Sequence, residues 1–329
     1  MNYRILLTSL SLLVFCLFCL SLVLGRDPLP IWQAANEVFT DRSSVFAIIL
    51  TEIRLPRALI ALFAGATLGL CGAAMQGLLR NPLASPDLIG SSSGAALAAV
   101  IILYFGWQGV SLQMLPLSAM LGSLLATALV FALAGRDASI TTLILAGVAV
   151  NALATSAMSL LLNLAPSPYA MRELVLWTMG DITDRSMDDF WLMLPFTLFG
   201  WALMLGVGKQ LNALTLGEET ATSLGVNPSW IRWRIFIAIA FAVGATVATT
   251  GMIGFIGLVV PHLLRPLVNY EPGRLLPAAA LGGAAMLLAA DIGVRLIPTD
   301  AAIKVGVLTA LVGAPFFLYL ILRSRKEHL

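Results

Sequence analysis

The stretch ALIALFAGATLGLCGAAMQGLL, residues 58–79, runs for 22 residues without a charged side chain. About 20 apolar residues in a helix cross the roughly 30 Å hydrocarbon core of a lipid bilayer. Glycine and alanine recur through the stretch, as they do in membrane helices whose backbones pack closely against a neighbour. Residues 58–79 therefore predict a membrane-spanning helix that packs within a helix bundle.

Similar apolar runs lie on both sides of this stretch. Residues 88–135 are long enough for two spans with a break near 106–109, whereas 235–264 are too long for one span and short for two. Extended to about residue 268, the second run becomes a pair of spans. Single spans are predicted at 5–25, 138–171, 190–208, 275–290 and 305–322. The sequence thus predicts ten spans.

The overall composition is that of a membrane protein. Of 329 residues, 59% are hydrophobic and 11% are charged, and the mean hydropathy is +0.95. Soluble domains carry about 25% charged residues, so a soluble globular fold is excluded. The predicted fold class is an all-α polytopic membrane protein of about ten transmembrane helices, with residues 1–329 forming a single transmembrane domain.

The distribution of lysine and arginine predicts the orientation of the chain. With ten spans and a cytoplasmic N-terminus, eleven of the nineteen basic residues lie on the cytoplasmic side, which is the expected bias. Both termini are then cytoplasmic, although Arg54 and Arg57 lie on the outer side. Residues 5–25 exceed the core of a signal peptide and lack a small-residue cleavage site. We interpret them as a retained first span.

A short pattern of small residues occurs twice. The sequence GAT at 65–67, followed by glycine at 72, recurs as GAT at 244–246, followed by glycine at 251. Five predicted spans separate the two copies, so they cross the membrane in opposite directions, as in an inverted-topology repeat. The predicted repeat halves are about 54–163 and 231–323.

One polar segment, LGEETATSLGVNP at 216–228, interrupts the apolar runs. Glu218 and Glu219 at its start favour the positive end of a helix dipole, whereas Gly225 and Pro228 mark its end. The segment therefore predicts a short helix between two spans. Taken alone, such a helix fits a solvated connector as well as a docking surface for a soluble partner.

Motifs that would indicate an enzyme or a metal protein are weak. GSSSG at 90–94 has the spacing of a nucleophile elbow but lacks its strand–turn–helix setting and a histidine base. His262 and His328 are the only histidines, and Cys16 and Cys19 lie in an apolar run without a second cysteine cluster. We therefore predict no catalytic residue, no metal site and no cofactor.

Several stretches of the chain resemble a known family. They are RLPR at 54–57, GATLGLCGAAMQGLLRNPLASPDLIGSSSGAALA at 65–98, GFIGLVVPHLLRPL at 254–267, LLAADIGVR at 287–295 and VGVLTALVGAPFFLYLILR at 305–323. In this order they resemble the FecCD/BtuC-like permeases of type II ABC importers. The resemblance implies ten helices per subunit and two permease subunits, identical or paralogous, around one central pathway.

The resemblance also implies partners. The chain contains no Walker A motif, so two cytoplasmic ABC ATPase subunits would hydrolyse ATP, and the chain itself would not be an enzyme. A periplasmic or surface-anchored binding protein would deliver the substrate. The chain is expected in the bacterial inner membrane, in contact with lipid and not with nucleic acid.

Three sets of residues take predicted roles from the resemblance. The segment 209–230 corresponds to the coupling helices that contact the ATPase, through Glu218, Glu219, Thr220, Ala221, Leu224 and Gly225. Arg54, Arg57 and Arg295 match positions that meet glutamates of the binding protein, a role that suits the two-pronged guanidinium. The cytoplasmic gate is expected at Asn81, Leu83, Thr141 and Thr142.

Two expectations concern surfaces. Ala221 and Leu224 are three residues apart and are expected on one helix face, seated in a groove of the ATPase. Arg54 and Arg57 would also suit ordinary placement of arginine at a membrane interface.

The substrate pathway is expected along the spans at about 140–162 and 305–322, which offer Asn151, Thr155, Ser156 and Thr309.

The leading functional prediction is a permease subunit that imports a metal chelate. An iron(III)-siderophore is favoured because it is the commonest substrate class in the family, and haem, vitamin B12 and molybdate are alternatives. An ion-coupled secondary transporter is the competing class. Such transporters usually hold an ionisable residue near mid-membrane, whereas Asp87 and Asp291 lie at predicted helix ends.

Overall fold

A computed structural model describes residues 2–25, 29–106, 114–135, 140–165, 167–297 and 303–327. These residues are mainly helical and form no β-strand. The helices, numbered in chain order, are α1 (Tyr3–Val23), α2 (Ile31–Thr40), α3 (Val45–Ile48), α4 (Leu55–Leu78), α5 (Ser91–Tyr104), α6 (Met114–Ala134), α7 (Ile140–Asn163), α8 (Pro168–Thr178), α9 (Met187–Met204), α10 (Val207–Leu214), α11 (Glu218–Ser223), α12 (Pro228–Thr250), α13 (Ile256–Leu264), α14 (Pro272–Leu296) and α15 (Val305–Glu327). A π-helical segment, Ile49–Arg54, joins α3 to α4, and short 3₁₀ helices lie at Pro86–Ile89 and Arg265–Val268.

Within the described residues, six helices are long and apolar enough to span a bilayer by themselves: α1, the continuous Val45–Leu78, α6, α7, α12 and α14. The pair α9 and α10, bent by 48°, makes a seventh if the two form one span. Three shorter apolar helices, α5, α13 with its 3₁₀ extension, and α15, bring the candidate crossings to the ten expected from the sequence. The all-α polytopic membrane fold predicted from the sequence is confirmed.

The ambiguous run at 235–264 belongs to two helices. α12 ends at Thr250, where Gly251 adopts a φ of +68°, a backbone conformation that favours glycine. α13 begins at Ile256 and continues into the 3₁₀ helix Arg265–Val268. The pair of crossings extended to residue 268 is therefore the correct interpretation of this run.

The two helices that carry the repeated GAT sequence pack reciprocally. α4 packs along α14, with Gly65 against Gly283, and α12 packs along α6, with Gly244 against Ser123. If α4–α6 and α12–α14 are counted as two halves, the first helix of each half meets the third helix of the other. An inverted repeat has this reciprocal packing.

The glycines that follow the two GAT sequences differ in their surroundings. Gly72 lies inside α4 and faces Gly257 of α13, whereas Gly251 terminates α12 and faces the Trp177 carbonyl group. The similarity between the two copies therefore ends within the helices, and the chain leaves them by different turns.

Candidate functional site

Arginines from two helices hold the C-terminal end of α1. Arg54 donates to the carbonyl oxygens of Leu22, at 2.9 Å, and Val23, while Arg295 donates to the carbonyl oxygen of Ser21 at 2.7 Å. The last four carbonyl groups of a helix have no partner within that helix, and basic side chains commonly satisfy them. The two arginines therefore fasten the end of α1 to α4 and α14.

A buried carboxylate, Asp291, joins two of the arginines. It accepts from Arg57 Nε at 2.8 Å and Nη2 at 2.7 Å, and its other oxygen pairs with Arg295, one helical turn further along α14. The Asp291 side chain is completely buried, and the side chains of Arg57 and Arg295 are 11% and 8% exposed. We call the end of the bundle that holds Arg54, Arg57 and Arg295 the arginine end.

The three arginines predicted to dock a binding protein are thus bound within the chain. Arg54 and Arg57 are each only 9% exposed, and Arg295 spans the distance from Asp291 to the end of α1. A guanidinium group in this position must leave its present acceptors before it can bind a carboxylate of a partner. The docking role of Arg54, Arg57 and Arg295 stays a prediction; in this structure the arginines form an internal clamp.

A second ion pair at the arginine end links the loop after α8 to the start of α15. The Lys304 ammonium pairs with the Asp181 carboxylate. The backbone N–H of Asp181 donates to the Thr250 carbonyl oxygen at 2.7 Å, and that of Gly306 donates to the Gly180 carbonyl oxygen at 3.1 Å. Together these contacts bind the ends of α8 and α12 to the beginning of α15.

The ion pair changes the acidity of Asp181. Burial raises the pKa of the carboxyl group, but the hydrogen bond from Lys304, the hydrogen bonds from Thr183 and the Lys304 charge outweigh burial. The pKa of Asp181 therefore lies below its ordinary value, and the group is ionised at neutral pH.

α11 lies at the other end of the bundle, which we call the Glu218 end. Glu218 accepts two hydrogen bonds from Arg232 Nη2, at 2.7 and 2.8 Å, and this ion pair joins α11 to α12. Ala221 is completely buried, and its carbonyl oxygen accepts from the Val226 N–H at 2.9 Å. One side of this six-residue helix is thus fixed to the rest of the chain.

The other side of α11 is open. Glu219, Thr220 and Gly225 are exposed, and Leu224 is 63% exposed. Ala221 and Leu224 therefore do not share an exposed face, which corrects the expectation that both would enter a groove of a partner. Ala221 anchors the helix to its own chain, and Leu224 is the apolar side chain available to a partner.

The predicted gate residues all lie at the Glu218 end. Asn81 and Leu83 share the turn after α4, where the Asn81 Oδ1 atom accepts from the Leu83 N–H at 2.9 Å and Leu83 is 42% exposed. Thr141 and Thr142 are exposed at the start of α7. The 3₁₀ helix Pro86–Ile89, which follows the Asn81 turn, packs against α7.

α7 presents polar side chains on an open face. Val150 and Ala154 are buried, whereas Asn151, Thr155 and Ser156 are exposed. Polar residues within membrane spans usually face a water-filled cavity or another protein helix rather than lipid. The open face of α7 therefore fits a pathway or a subunit contact.

Thr309 of α15 does not belong to such a face. It is 1% exposed, and its hydroxyl group donates to the Gly306 carbonyl oxygen at 3.0 Å. The expectation that Thr309 would line the pathway is therefore wrong. The exposed residues of α15 near it are apolar: Val307, Leu311 and Val312.

The sequence analysis did not predict the ion pairs that Asp291 and Asp181 form. Asp291 and Arg295 are four residues apart on one helix, a spacing that could have indicated a pair. Arg57 reaches the same carboxylate across 234 residues of sequence, and Lys304 reaches Asp181 across 123. No local pattern signals these two long-range pairs.

The chain is similar to known proteins along most of its length. The model of the FecCD transport family matches residues 12–323. The haemin transport system permease protein HmuU of Yersinia pestis is 41% identical over 283 residues, which cover 85% of this chain and 84% of the relative. The vitamin B12 import system permease protein BtuC of Citrobacter koseri is 38% identical over 323 residues, covering 97% of this chain and 94% of the relative.

The fold also matches a solved structure. A metal-chelate type ABC transporter in an inward-facing conformation superposes with a TM-score of 0.85 at 34% identity, covering 97% of this chain and 99% of the other. The helical architecture, the sequence identity and the coverage agree along nearly the whole chain. The chain therefore belongs to the FecCD transport family, the membrane permease subunits of type II ABC importers.

Proposed function

We propose that this permease imports a metal chelate, specifically an iron(III)-siderophore, and that α11 couples it to a cytoplasmic ATPase. The coupling proposal rests on one observation: one side of α11 is fixed to the chain and the other side is exposed. Its inner side is fixed by Glu218 and Ala221, and its outer side exposes Glu219 and Leu224. The outer side of α11 thus offers a soluble partner both a carboxylate and an apolar side chain.

The proposal places the Glu218 end, and both chain termini, in the cytoplasm. Arg4 at the start of α1, Lys209 on α10 and Arg274 on α14 lie at this end and are exposed. Basic residues near span ends favour the cytoplasmic side. The arginine end then faces the periplasm or cell exterior.

Two links carry a movement of α11 into the membrane. The Glu218–Arg232 ion pair and the buried Ala221 connect α11 to α12, and α12 packs along α6 and α9. If two ATPase subunits close on ATP and displace α11, α12 moves with it and shifts the helices it contacts. Hydrolysis then resets the arrangement.

The open face of α7 would line the pathway, with a second permease subunit opposite it. Asn151 and Thr155 provide polar groups along this face. The gate residues Asn81, Leu83, Thr141 and Thr142 lie at its cytoplasmic end and would close against their counterparts in the second subunit.

A periplasmic or surface-anchored binding protein would dock at the arginine end. Arg54, Arg57 and Arg295 presently hold the end of α1 and Asp291. In this proposal, glutamates of the docked protein compete for these guanidinium groups. Docking would thereby loosen the clamp on α1 and α14, which connects substrate delivery to the helices of the bundle.

A second substrate candidate is haem. The observation that favours it is the 41% identity to a permease named for haemin transport. The relatives named for vitamin B12 import match a larger share of the chain at 38% identity. Uptake of the three compounds has to be compared directly.

The experiment is an uptake assay in cells that carry the whole transport system, with labelled iron(III)-siderophore, haemin and cyanocobalamin. Glu219→Arg should abolish uptake, because it reverses a charge on the face of α11 that meets the ATPase. The fraction of ATPase that copurifies with the permease should fall in parallel. Accumulation of the iron(III)-siderophore alone by the wild type would support the proposed substrate.

Two matched variants control this assay. Glu219→Gln removes the charge without reversing it and should retain part of the uptake. Asp184→Arg reverses an exposed carboxylate in the loop before α9, at the opposite end of the bundle, and should leave ATPase copurification unchanged. Normal uptake by Glu219→Arg would refute the coupling role of α11, and preferential uptake of haemin or cyanocobalamin would refute the siderophore assignment.

A further inference from the structure

A cleft with a mixed apolar and charged lining lies at the Glu218 end, between α1, α4, the bend from α9 to α10, and the start of α14. Its volume is about 610 Å³, within the usual range of roughly 300 to 1,000 Å³ for ligand sites. None of the coupling, gate or docking residues named individually above lines it, although Lys209 and Asn212 belong to the predicted coupling segment 209–230. The bend itself opens the cleft, because Gly206 turns the chain with a φ of +79° and Leu205 is 72% exposed.

The walls of the cleft consist of an apolar part and a polar, charged part. Apolar and aromatic side chains line one part: Leu70, Trp201, Met204, Leu276, Pro277 and Ala280. Lys209, Asn212, Glu271 and Arg274 line the other part. From Arg274 to Ala280 is six helical residues, so the lining of the cleft, charged and apolar together, extends about 9 Å along α14.

The walls are held in place by specific contacts. The Trp201 ring stacks on Phe63 with the centroids 5.4 Å apart, and its Nε1 donates to the Thr67 hydroxyl at 3.1 Å. Asn212 Nδ2 donates to Glu271 at 2.9 Å. The cleft is therefore preformed, and an occupant need not order its walls.

The charged part of the cleft carries a net positive charge. Glu271 is engaged by Arg274 Nε at 2.7 Å and by Asn212, so its charge is already compensated. The Arg274 guanidinium also lies 5.5 Å from the centre of the Tyr3 ring. Lys209 is exposed, and the described part of the chain offers it no carboxylate within salt-bridge distance.

We infer that this cleft is a binding site for an anionic phospholipid of the surrounding leaflet. Its phosphate would lie against Lys209 and Arg274, and the upper part of an acyl chain would lie along Leu276 and Ala280. Basic pockets between membrane helices recognise lipid headgroups in this way. The Tyr3 ring, at the start of α1, suits the boundary between headgroup and acyl chain, whereas Trp201, bonded to Thr67 in the middle of α4, lies deeper, beside the acyl chain. Because the occupant contacts α1, α10 and α14 together, it would stabilise the bent connection from α9 to α11.

The test uses the full chain, purified with its copurifying subunits in a mild detergent, and native mass spectrometry. Phosphatidylglycerol and phosphatidylethanolamine with identical acyl chains are titrated separately. The wild type should bind phosphatidylglycerol more tightly. Lys209→Ala should weaken this binding about fivefold, the effect of one basic residue at an anionic lipid surface, and weaken phosphatidylethanolamine binding less, because the ammonium group of that headgroup offsets its phosphate charge.

Two further variants separate headgroup from acyl-chain recognition. Ala280→Phe fills the apolar part without altering any charge, and should weaken both lipids. Arg80→Ala removes an exposed cation of the Glu218 end outside the cleft, and should match the wild type. Three results would each overturn the inference. They are equal affinity of the wild type for the two lipids, unchanged phosphatidylglycerol binding by Lys209→Ala, and normal binding of both lipids by Ala280→Phe.

Discussion

At the scale of single residues, the buried carboxylate of Asp291 holds two arginine side chains in place. The carboxylate lies between Arg57 and Arg295 and is completely buried. Arg295, together with Arg54, in turn reaches the carbonyl oxygens that end α1. Asp291 thus neutralises charges that would otherwise repel one another where three helices meet.

Replacement of this carboxylate should be costly. Asp291→Asn leaves two guanidinium groups facing each other without a counter-charge, and loss of one member of a buried ion pair costs about 3 to 5 kcal/mol. A loss of this size should appear as a markedly lower midpoint of thermal unfolding in detergent. Adding Arg57→Gln should recover part of the loss, because it removes one of the two facing charges. Equal stability of Asp291→Asn and the wild type would contradict the clamp.

The Asp181–Lys304 ion pair should make stability depend on pH in acid. The pKa of Asp181 is lower in the folded protein than in the unfolded chain, whose ordinary value is about 3.9. Its contribution is therefore complete above about pH 4 and is lost as the pH falls through the lower, folded pKa. Thermal unfolding measured from pH 6 down to pH 2.5 should show this loss. The curve for Asp181→Asn should start lower and fall less steeply, and parallel curves would exclude the ion pair as the cause.

At the scale of helices, close backbone packing between α4 and α14 is the central contact of the bundle. Gly65 and Gly69 face Gly283 and Ala279. In a membrane, where lipid competes equally for apolar side chains, helices associate largely through close van der Waals contact between small residues. The apolar character of α4 places it in the membrane, and its glycines determine which helix it packs against.

A single methyl group at this contact should therefore be destabilising. A Cβ at Gly69 would lie under 3 Å from the Ala279 carbonyl oxygen, so Gly69→Ala must push the two helices apart. Overpacking of this kind typically costs about 1 to 3 kcal/mol. Gly254→Ala is the matched control, since a Cβ there meets no atom within 4 Å. Thermal unfolding of both variants tests the difference, and similar midpoints would argue against the tight crossing.

At the scale of the whole molecule, the open face of α7 is the surface on which the proposed second permease subunit would pack. Asn151, Thr155 and Ser156 are exposed on this helix, beside exposed apolar residues such as Leu145 and Leu153. An apolar helix surface can remain against lipid, but polar side chains within a span favour water or protein contacts. The proposal therefore predicts a subunit contact or a water-filled pathway along α7.

Cross-linking tests this arrangement. Cysteine at Thr155, in a background with Cys16 and Cys19 replaced by alanine, should form a species of about twice the chain mass if two copies face each other. Cysteine at Leu13, on the exposed side of α1, is the control and should not. A cross-link from Thr155 to a different permease chain would identify a paralogous partner. Absence of any cross-link from Thr155 in native membranes would contradict the subunit contact.

The sequence by itself determined the fold class and the family, because apolar runs of about 20 residues and local motifs are properties of contiguous chain. It also located the short polar helix α11, whose start and end signals lie within one short segment. Only the tertiary structure decided which side of α11 is free, that Thr309 is buried, and that the three arginines are held internally. These outcomes depend on contacts such as Arg57 with Asp291, 234 residues apart. Burial and ion pairing are set by what the fold brings together, and a local pattern contains no information on its distant neighbours.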